Sequence, residues 1–223
     1  MIKQLSQVLS SQQVTAIIQL IEHGNFENGK DTAGWHAKEV KNNLQWQGDL
    51  SLTEELEQCL LSSLTQHPDF SGTAYAKAMM PFIISESTLG GGYGDHIDDA
   101  LMVNNAVLRT DLSCTIFLSP PEEYQGGELV MNFSGVEMAF KLNAGDAIIY
   151  PSTTLHRVNP VTSGSRKVAL TWIESHIPLS SQREILCDLD SARKEIMKLN
   201  GKTDAFDKIT KTHANLLRQW AVT

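Results

Sequence analysis

The chain has 223 residues, of which 41% are hydrophobic and 20% charged, and this length and composition fit one compact domain with a modest appendage. Its 18 basic and 26 acidic side chains give a formal net charge of -8, which disfavours nucleic acid and anionic lipid as partners. It contains no apolar stretch of about 20 residues, and three widely spaced cysteines argue against a disulfide framework, so we expect a cytoplasmic protein without a membrane partner.

The N-terminal segment, residues 1–72, is expected to form helices that support the core. Ser10 begins a capping box, and apolar residues follow it at helical intervals as far as Gly24, which predicts a first helix. Ser51 is likewise followed by a glutamate three residues on, and a leucine stripe continues towards Pro68. These features predict a second helix.

The middle segment, residues 73–177, changes to short β-branched or aromatic runs separated by glycine, proline and asparagine. This pattern is typical of an all-β domain, and it favours a sandwich or jelly roll over a parallel sheet. The fold class is therefore mainly β with flanking α. The predicted strands are Ala78–Ser85, Leu112–Leu118, Glu128–Asn132, Glu137–Leu142, Ala147–Tyr150, Leu155–Val158 and Arg166–Glu174.

The C-terminal segment, residues 178–223, returns to helical periodicity. Ser181 and Glu184 have capping-box spacing, and Asn200 with Gly201 breaks the run, so we expect a helical hairpin. Its apolar stripe is expected to dock on the β core or on another subunit. The stripe comprises Ile185, Leu189, Ala192, Ile196 and Leu199 in the first helix and Phe206, Ile209, His213, Leu216 and Trp220 in the second.

The segment GGGYGDHIDD, residues 90–99, carries the clearest chemical signal. If it is extended after the glycines, His96 and Asp98 project to one face, whereas Asp95, Ile97 and Asp99 turn away. His156, at the start of a later predicted strand, can supply a third donor. Two imidazoles and one carboxylate on one face of a metal leave the opposite positions open, an arrangement that serves redox chemistry at iron(II).

Arg166 follows His156 by ten residues and makes the pattern more specific. A strand-end arginine is most often solvated. In the functional interpretation its planar fork points into the barrel mouth and pairs with a carboxylate, a bidentate match that lysine cannot duplicate.

Four separated segments together resemble a known family. They are GGGYGDHIDDA, RTDLSCTIFL, YQGGELVM and LNAGDAIIYPSTTLHRVNPVTSGSRKVALTWIES, and in this order they are similar to the iron(II)- and 2-oxoglutarate-dependent dioxygenases, specifically the bacterial PKHD-type hydroxylases grouped with iron-uptake factors. The resemblance covers about Ala76 to Ile177. Asp95, where an uncharged residue is expected, is a local departure from the pattern.

The resemblance implies a role for each matching residue. It implies His96, Asp98 and His156 as ligands of Fe(II) and Arg166 as the partner of the distal carboxylate of 2-oxoglutarate. Tyr93 either lines the cosubstrate pocket or serves in packing. The implied core is a double-stranded β-helix, the jelly roll, with helices on both sides.

The resemblance also implies the reaction and its partners. The protein is expected to be a dioxygenase that uses O2, decarboxylates 2-oxoglutarate to succinate and hydroxylates a C–H bond, with L-ascorbate as a reductant. The prime substrate stays open between a siderophore, another small metabolite and a peptide side chain, and the link to iron uptake is implied by similarity alone. The apolar stripes of the tail make a homodimer an expectation to test.

Two other classes compete with the enzyme. The alternative is a non-enzymatic, cupin-like metal-binding jelly roll that uses the same ligands for zinc or manganese and has no need of Arg166. The third class is an interaction protein whose C-terminal hairpin binds a partner while the β domain serves as a scaffold.

A few further side chains are given structural rather than chemical roles. Trp172 shares the strand face of Arg166 by its even spacing, which predicts a core or a pocket-wall position, with the core favoured. Arg109 and Asp111 are expected to pair on the surface. His36 and His176 belong to no ligand pattern.

Overall fold

The computed structural model describes residues 1–32 and 37–223. The helices are α1 (Ser11–Ile21), α2 (Leu50–Gln66), α3 (Phe70–Ala74), α4 (Ser180–Asn200) and α5 (Asp204–Trp220), with 3-10 turns at Gly29–Thr32, Ala37–Glu39 and Pro121–Glu123. None of the described helices is both long and apolar enough to cross a bilayer.

Seventeen strands form the rest of the described fold. They are β1 (Lys3–Leu5), β2 (Asn25–Asn28), β3 (Lys41–Asn42), β4 (Leu44–Gln47), β5 (Ala76–Met79), β6 (Ile83–Ser87), β7 (Gly92–His96), β8 (Leu101–Val103), β9 (Val107–Arg109), β10 (Leu112–Phe117), β11 (Tyr124–Gly126), β12 (Leu129–Phe133), β13 (Val136–Phe140), β14 (Ala147–Pro151), β15 (Leu155–Val158), β16 (Val161–Gly164) and β17 (Arg166–Ser175).

Two antiparallel sheets make the jelly roll. The major sheet has the order β1-β14-β10-β17-β6-β4-β2, with β5 also paired to β17, and the minor sheet has the order β13-β12-β15-β7-β3. Two short pairs, β11-β16 and β8-β9, complete the described strands. The prediction of a mainly β jelly roll with flanking helices is confirmed.

The core has two layers, one on each side of the major sheet. Between the two sheets lies a buried apolar cluster that includes Phe117, Met131 and Ile148. On the outer face, α1 and α2 cover the sheet with side chains such as Ile17 and Leu60. Because the helices close one face, the space between the sheets is the part of the fold that remains for a ligand.

The first helix begins as predicted, and the second does not. Ser10 and Gln13 form the reciprocal capping box before α1. At α2 the cap is Asp49, whose Oδ1 accepts a hydrogen bond of 2.9 Å from the Leu52 amide, so the predicted start at Ser51 is wrong. An aspartate oxygen two residues earlier satisfies the free amide equally well.

Strand predictions fail where proline or sparse patterning intervenes. The predicted strand Ala78–Ser85 is divided into β5 and β6, because Pro81 lacks the amide hydrogen that a continuous ladder needs. The first 72 residues also contribute β1–β4, which were not predicted. Of these, β1, β2 and β4 extend the major sheet and β3 the minor one.

The C-terminal hairpin docks on the core of the same chain. The Ser181 cap was wrong, since α4 starts after Leu179 without a side-chain cap bond. Arg183 instead donates to the carbonyls of Ile177 and Pro178 at 2.6 and 2.9 Å. The amide of Val222, after α5, donates to His176 at 2.8 Å.

The expected apolar stripe of α4 was partly wrong. Ile185 and Leu199 are exposed, whereas α4 buries Arg183, Leu186 and Asp190. Polar residues can occupy the buried face here because each is partnered: Asp190 pairs with Arg193 and Lys194 of the next turn.

Candidate metal and cosubstrate site

The three predicted donors meet at one point of the minor sheet. β7 ends at His96, and β15 places His156 directly across the ladder from it. Asp98 lies in the loop just after β7. Its Oδ1 is 4.0 Å from Nε2 of each histidine, and the donor atoms of the three residues all lie within 4.8 Å of one another. This spacing suits a single metal ion.

Backbone carbonyls fix the orientation of both imidazoles. Nδ1 of His96 is 2.7 Å from the Gly94 carbonyl, and Nδ1 of His156 is 2.9 Å from the Thr154 carbonyl. A carbonyl oxygen can only accept, so each Nδ1 carries the proton and donates. In the neutral form of each ring, Nε2 then presents a lone pair towards the centre, as a metal ligand must.

Asp98 is held by hydroxyl groups on its far side. Its Oδ2 accepts a hydrogen bond of 2.5 Å from Ser113 Oγ, which also lies 2.8 Å from Ser152 Oγ. This leaves Oδ1 facing the histidines. The sequence reasoning missed both serines, although a serine inside a fully buried strand such as β10 is a signal that a polar partner is near.

Burial sets the protonation of the site. Desolvation, followed by the proximity of His156, lowers the pKa of His96 to about 4, so its ring is neutral near pH 7. Tyr93 stacks on that ring with a centroid distance of 3.6 Å and also lines the cleft. Burial and then Asp98 raise the pKa of Tyr93 to about 12, so it stays protonated.

The two expectations for the residues next to His96 and Asp98 have different outcomes. Ile97 and Asp99 were expected to turn away, but both line the mouth of the cleft, because β7 ends at His96 and strict alternation ends with it. Asp95 is exposed, and its Oδ1 lies 3.7 Å from Arg157 Nη1. The departure at Asp95 therefore concerns the outer surface.

Arg166 is buried at the start of β17, opposite Ser87 of β6. Its guanidinium carbon lies 5.6 Å from the centroid of the Phe117 ring, and its Nε has no hydrogen-bond partner among the described residues. Burial lowers the pKa of Arg166, while Tyr124 and Tyr150 oppose that effect. Glu128 acts on it electrostatically as well, and the unpartnered Nε suits this buried cation to binding an anion in the cleft.

One cleft joins Arg166 to the three donors. Its empty space measures roughly 980 Å³, a volume that includes solvent at its open side. Trp172 lines it, which agrees with the pocket-wall interpretation and not with the favoured core position. The Trp172 Nε1 has no partner among the described residues. Tyr150 and Lys41 line it too. Sequence reasoning missed these last two. Lys41 belongs to no motif, and Tyr150 lies within the fourth resembling segment but was given no role.

The remaining interpretations have mixed outcomes. His36 lies outside the described residues. His176 Nδ1 is 2.9 Å from the Val222 carbonyl, which is a structural contact. The Arg109 and Asp111 pair is not a simple surface pair: its closest contact is 2.8 Å, and the Asp111 carboxylate, 7% exposed, also accepts from the Ser175 amide.

Comparison with known proteins decides the family. Residues 82–174 match the 2OG-Fe(II) oxygenase superfamily, and residues 181–221 match the PKHD-type hydroxylase C-terminal domain. A PKHD-type hydroxylase from Colwellia psychrerythraea is 78% identical over 100% of both chains. The chain belongs to the PKHD-type hydroxylases. A PKHD-type hydroxylase from Acaryochloris marina is 43% identical over 99% of this chain and 100% of its own.

Solved structures agree on the fold. A Pseudomonas putida prolyl-4-hydroxylase has a TM-score of 0.51 and 18% identity, covering 78% of this chain and 92% of its own. A prolyl hydroxylase from Trichoplax adhaerens, in complex with a hypoxia inducible factor peptide fragment, has a TM-score of 0.58 and 16% identity. The match covers 83% of this chain and 86% of its own. The expected dioxygenase class is confirmed, and membership of this family implies Fe(II) and 2-oxoglutarate.

Proposed function

We propose that this PKHD-type hydroxylase holds Fe(II) with His96, Asp98 and His156 and binds the distal carboxylate of 2-oxoglutarate with Arg166. In the reaction, O2 and 2-oxoglutarate give succinate and carbon dioxide, and one oxygen atom enters a C–H bond of the prime substrate. The observation that carries the proposal is a buried arginine with a free donor in the same cleft as the three donors.

The donor set suits iron(II). Two imidazoles in the neutral form and one carboxylate supply three ligands on one face and leave positions for cosubstrate and oxygen. When bound, the iron supplies the redox chemistry with O2. A closed structural zinc site usually has four protein ligands, and the described residues bring only three together here.

The side chains of the cleft have separate tasks. Arg166 neutralises and orients the cosubstrate through a planar fork. Tyr93, by stacking on His96, holds that ligand in place. Apolar side chains such as Leu129 and Leu170 line the cleft and exclude water, which strengthens the charge interactions within it.

Anaerobic titration tests the proposal and its rival together. Adding iron(II) and then 2-oxoglutarate is expected to produce a weak visible charge-transfer band, and later exposure to O2 is expected to produce succinate. A cupin-like metal-binding protein would hold zinc tightly and give neither signal. Absence of the band in a folded, iron-loaded protein would overturn the binding of 2-oxoglutarate through Arg166, and failure of the folded protein to bind iron would overturn the three ligands.

The prime substrate and the physiological setting form the finer part of the proposal. A siderophore, another small metabolite or a peptide side chain is proposed as substrate, and the link to iron uptake rests on the family resemblance. An untargeted search for an oxygen-dependent mass gain of one oxygen atom tests the substrate. L-ascorbate is proposed as the reductant of oxidised iron; if so, it should extend the number of turnovers before inactivation.

Assembly and location also stay predictions. A homodimer is proposed through the hairpin, with support from the exposed apolar residues Met197 and Leu199 of α4, and sedimentation tests it. The division into residues 1–72, 73–177 and 178–223, the cytoplasmic location, and the lack of nucleic-acid and membrane partners remain predictions from the sequence.

A further inference from the structure

Trp172 presents an unused hydrogen-bond donor inside the cleft. Its indole lines the cleft, and its Nε1 is buried without a hydrogen-bond partner among the described residues. By contrast, Trp46 Nε1 donates to the Ile21 carbonyl at 2.8 Å, which is the usual state of a buried indole. Buried polar atoms without partners are rare in native proteins, so the free donor of Trp172 indicates that a ligand supplies its acceptor.

Strand pairing places Trp172 at the end of the cleft that holds the three metal donors. Trp172 lies directly opposite Ser113 in the ladder between β17 and β10, and Ser113 donates to Asp98. Residues paired in this way share a face of the sheet, with Cβ atoms about 4.5–5.5 Å apart. Tyr150 pairs with Ser113 from the other side, and its ring centroid is 5.2 Å from that of His156. This row of the major sheet therefore faces the donors of the minor sheet.

Arg166 lies at the opposite end of the same strand. Arg166 and Trp172 both line the cleft from β17 and are six residues apart, so their backbones are separated by about 20 Å. The chain of 2-oxoglutarate has four C–C bonds and spans at most about 6 Å. With its far carboxylate on Arg166, the cosubstrate approaches the donors from the Arg166 side. The Trp172 side of the cleft is then left for a different molecule.

The hairpin of β8 and β9 borders the Trp172 side of the cleft. Met102 of β8 lines the cleft, as does Ile97 in the loop after β7, and Ile97 is 49% exposed. The amide of Arg109, at the end of β9, donates to the Glu174 carboxylate at 3.3 Å, which attaches the hairpin to the strand that carries Trp172. This side therefore combines one neutral donor with apolar side chains.

The chemistry of these groups favours an uncharged acceptor. An ion placed against apolar side chains loses hydration that they do not replace. Asp99 also lines the cleft and is exposed, and its carboxylate repels an anion. An uncharged carbonyl oxygen avoids both effects. It can accept from the indole while the carbon groups around it contact Ile97 and Met102.

We propose that Trp172 is a specificity-determining residue whose Nε1 donates a hydrogen bond to an uncharged carbonyl group of the prime substrate. The inference rests on the proposed function of the cleft and deepens it. It narrows the prime substrate to molecules with a neutral carbonyl oxygen, as in an amide, close to the C–H bond that is hydroxylated. A molecule that offers only a charged group at this point is disfavoured.

The indole proton of Trp172 reports this hydrogen bond directly. The full chain, with ¹⁵N in its tryptophan side chains, is loaded with diamagnetic Zn(II) and saturated with 2-oxoglutarate. N,N-dimethylacetamide, which accepts hydrogen bonds but cannot donate them, is then titrated. We expect the Trp172 indole proton to move downfield in a saturable way. The Trp46 indole proton, already bonded to Ile21, should stay in place, and Trp172→Phe identifies the signal by its loss.

Two further probes define the class of ligand. Tetramethylammonium is similar in size to the amide and has no acceptor, so it should cause no downfield shift of the Trp172 indole proton. Acetate offers an acceptor of similar shape but carries a charge. We expect acetate to bind more weakly than the amide.

Paired variants measure how much the donor contributes to binding. Trp172→Phe keeps an aromatic ring and removes the donor. With Mn(II) in place of Zn(II), relaxation of the dimethylacetamide methyl protons measures its affinity, which should fall about two- to tenfold in this variant. Trp220→Phe makes the same change on α5, outside the residues that line the cleft, and should behave as the wild type. Water relaxation by Mn(II) reports whether each variant still holds metal and is therefore folded.

The outcomes separate the two proposals. The role of Trp172 is wrong if the amide does not move its indole proton, or if the amide binds equally well to Trp172→Phe. It is also wrong if acetate binds more tightly than the amide while 2-oxoglutarate is present. If 2-oxoglutarate itself moves the indole proton downfield and the amide adds nothing, Trp172 serves the cosubstrate and the inference fails. The charge-transfer band of iron(II) with 2-oxoglutarate tests the proposed function separately, and its absence would overturn that function.

Discussion

Ser113 donates a hydrogen bond of 2.5 Å to the Asp98 oxygen that faces away from the two histidines. Ser152 lies 2.8 Å behind Ser113, and its amide donates to the carbonyl of Asp111. The carboxylate is thus oriented by a chain of groups that reaches from the loop after β7 through β10 to the end of β14. Such outer contacts commonly tune the affinity of metal ligands.

Replacement of Ser113 with alanine is expected to weaken metal binding by about 10–100-fold. Without the hydroxyl, Asp98 can rotate and its Oδ1 no longer faces Nε2 of both histidines. Competition with a metal chelator measures the change. Ser119→Ala is the matched control, because Ser119 is a buried serine that bonds Ser165 and Lys167 instead. Equal metal affinity in both variants would remove Ser113 from the site.

Arg166→Met is expected to weaken 2-oxoglutarate binding by about two to three orders of magnitude while leaving metal binding intact. The same change should not lower the free energy of unfolding of the metal-free protein. The reason is that a buried guanidinium with an unpartnered Nε is costly without its anion. Titration of the charge-transfer band and urea denaturation measure the two effects.

Arg166→Lys serves as the control for charge alone. It keeps a cation in the cleft and loses the planar fork, so 2-oxoglutarate binding should be intermediate. Unchanged cosubstrate affinity in Arg166→Met, with iron still bound, would show that the distal carboxylate is held elsewhere in the cleft.

The three metal donors could be predicted from the sequence because each lies in a pattern that can be recognised within a few residues. His96 and Asp98 are two residues apart, and His156 lies in a strand that the β pattern located to the residue. Resemblance to the family then supplied the role of Arg166. The short apolar runs that mark the strands predicted a sandwich or jelly roll, and the resemblance to the family then favoured the jelly roll.

The groups that tune the site could not be predicted because they depend on pairing between distant segments. Lys41 reaches the cleft only because β3 pairs with β7, and β3 has two residues and no periodic pattern. Ser113 becomes a partner of Asp98 only when β10 and the loop after β7 meet across the barrel. No motif links either pair along the chain.

Arg183→Met is expected to lower the free energy of unfolding by about 2–4 kcal/mol, in contrast to Arg166→Met. Both arginines are buried, but the guanidinium of Arg183 donates to the carbonyls of Ile177 and Pro178. Without the guanidinium, those two carbonyls lose their hydrogen-bond donor at the junction between the core and α4. Urea denaturation measures the change, and Arg218→Met, an exposed position on α5, is the control. A variant as stable as the wild type would mean that the junction is held by apolar packing alone.

The docking of α5 is expected to weaken in acid because of His213. Its Nε2 lies 3.0 Å from the hydroxyl of Tyr75, and its residue is 5% exposed. Burial, with Arg193 nearby, lowers the pKa of His213, and Asp190 opposes that effect. A histidine whose pKa is lower in the folded state binds protons more readily when unfolded. Stability is therefore lost as pH falls below the ordinary histidine pKa of about 6.5.

Urea denaturation between about pH 5 and 8 tests this, with His213→Gln as the variant. Glutamine can keep a hydrogen bond to Tyr75 but does not titrate, so the loss of stability below pH 6.5 should become smaller than in the wild type. His23→Gln changes an exposed histidine at the end of α1 and should leave the pH dependence unchanged. Hydrogen exchange of α5 amides locates the effect. If His213→Gln follows the wild-type curve, protonation of His213 does not govern the docking, and the acid sensitivity must arise from the carboxylates of the hairpin.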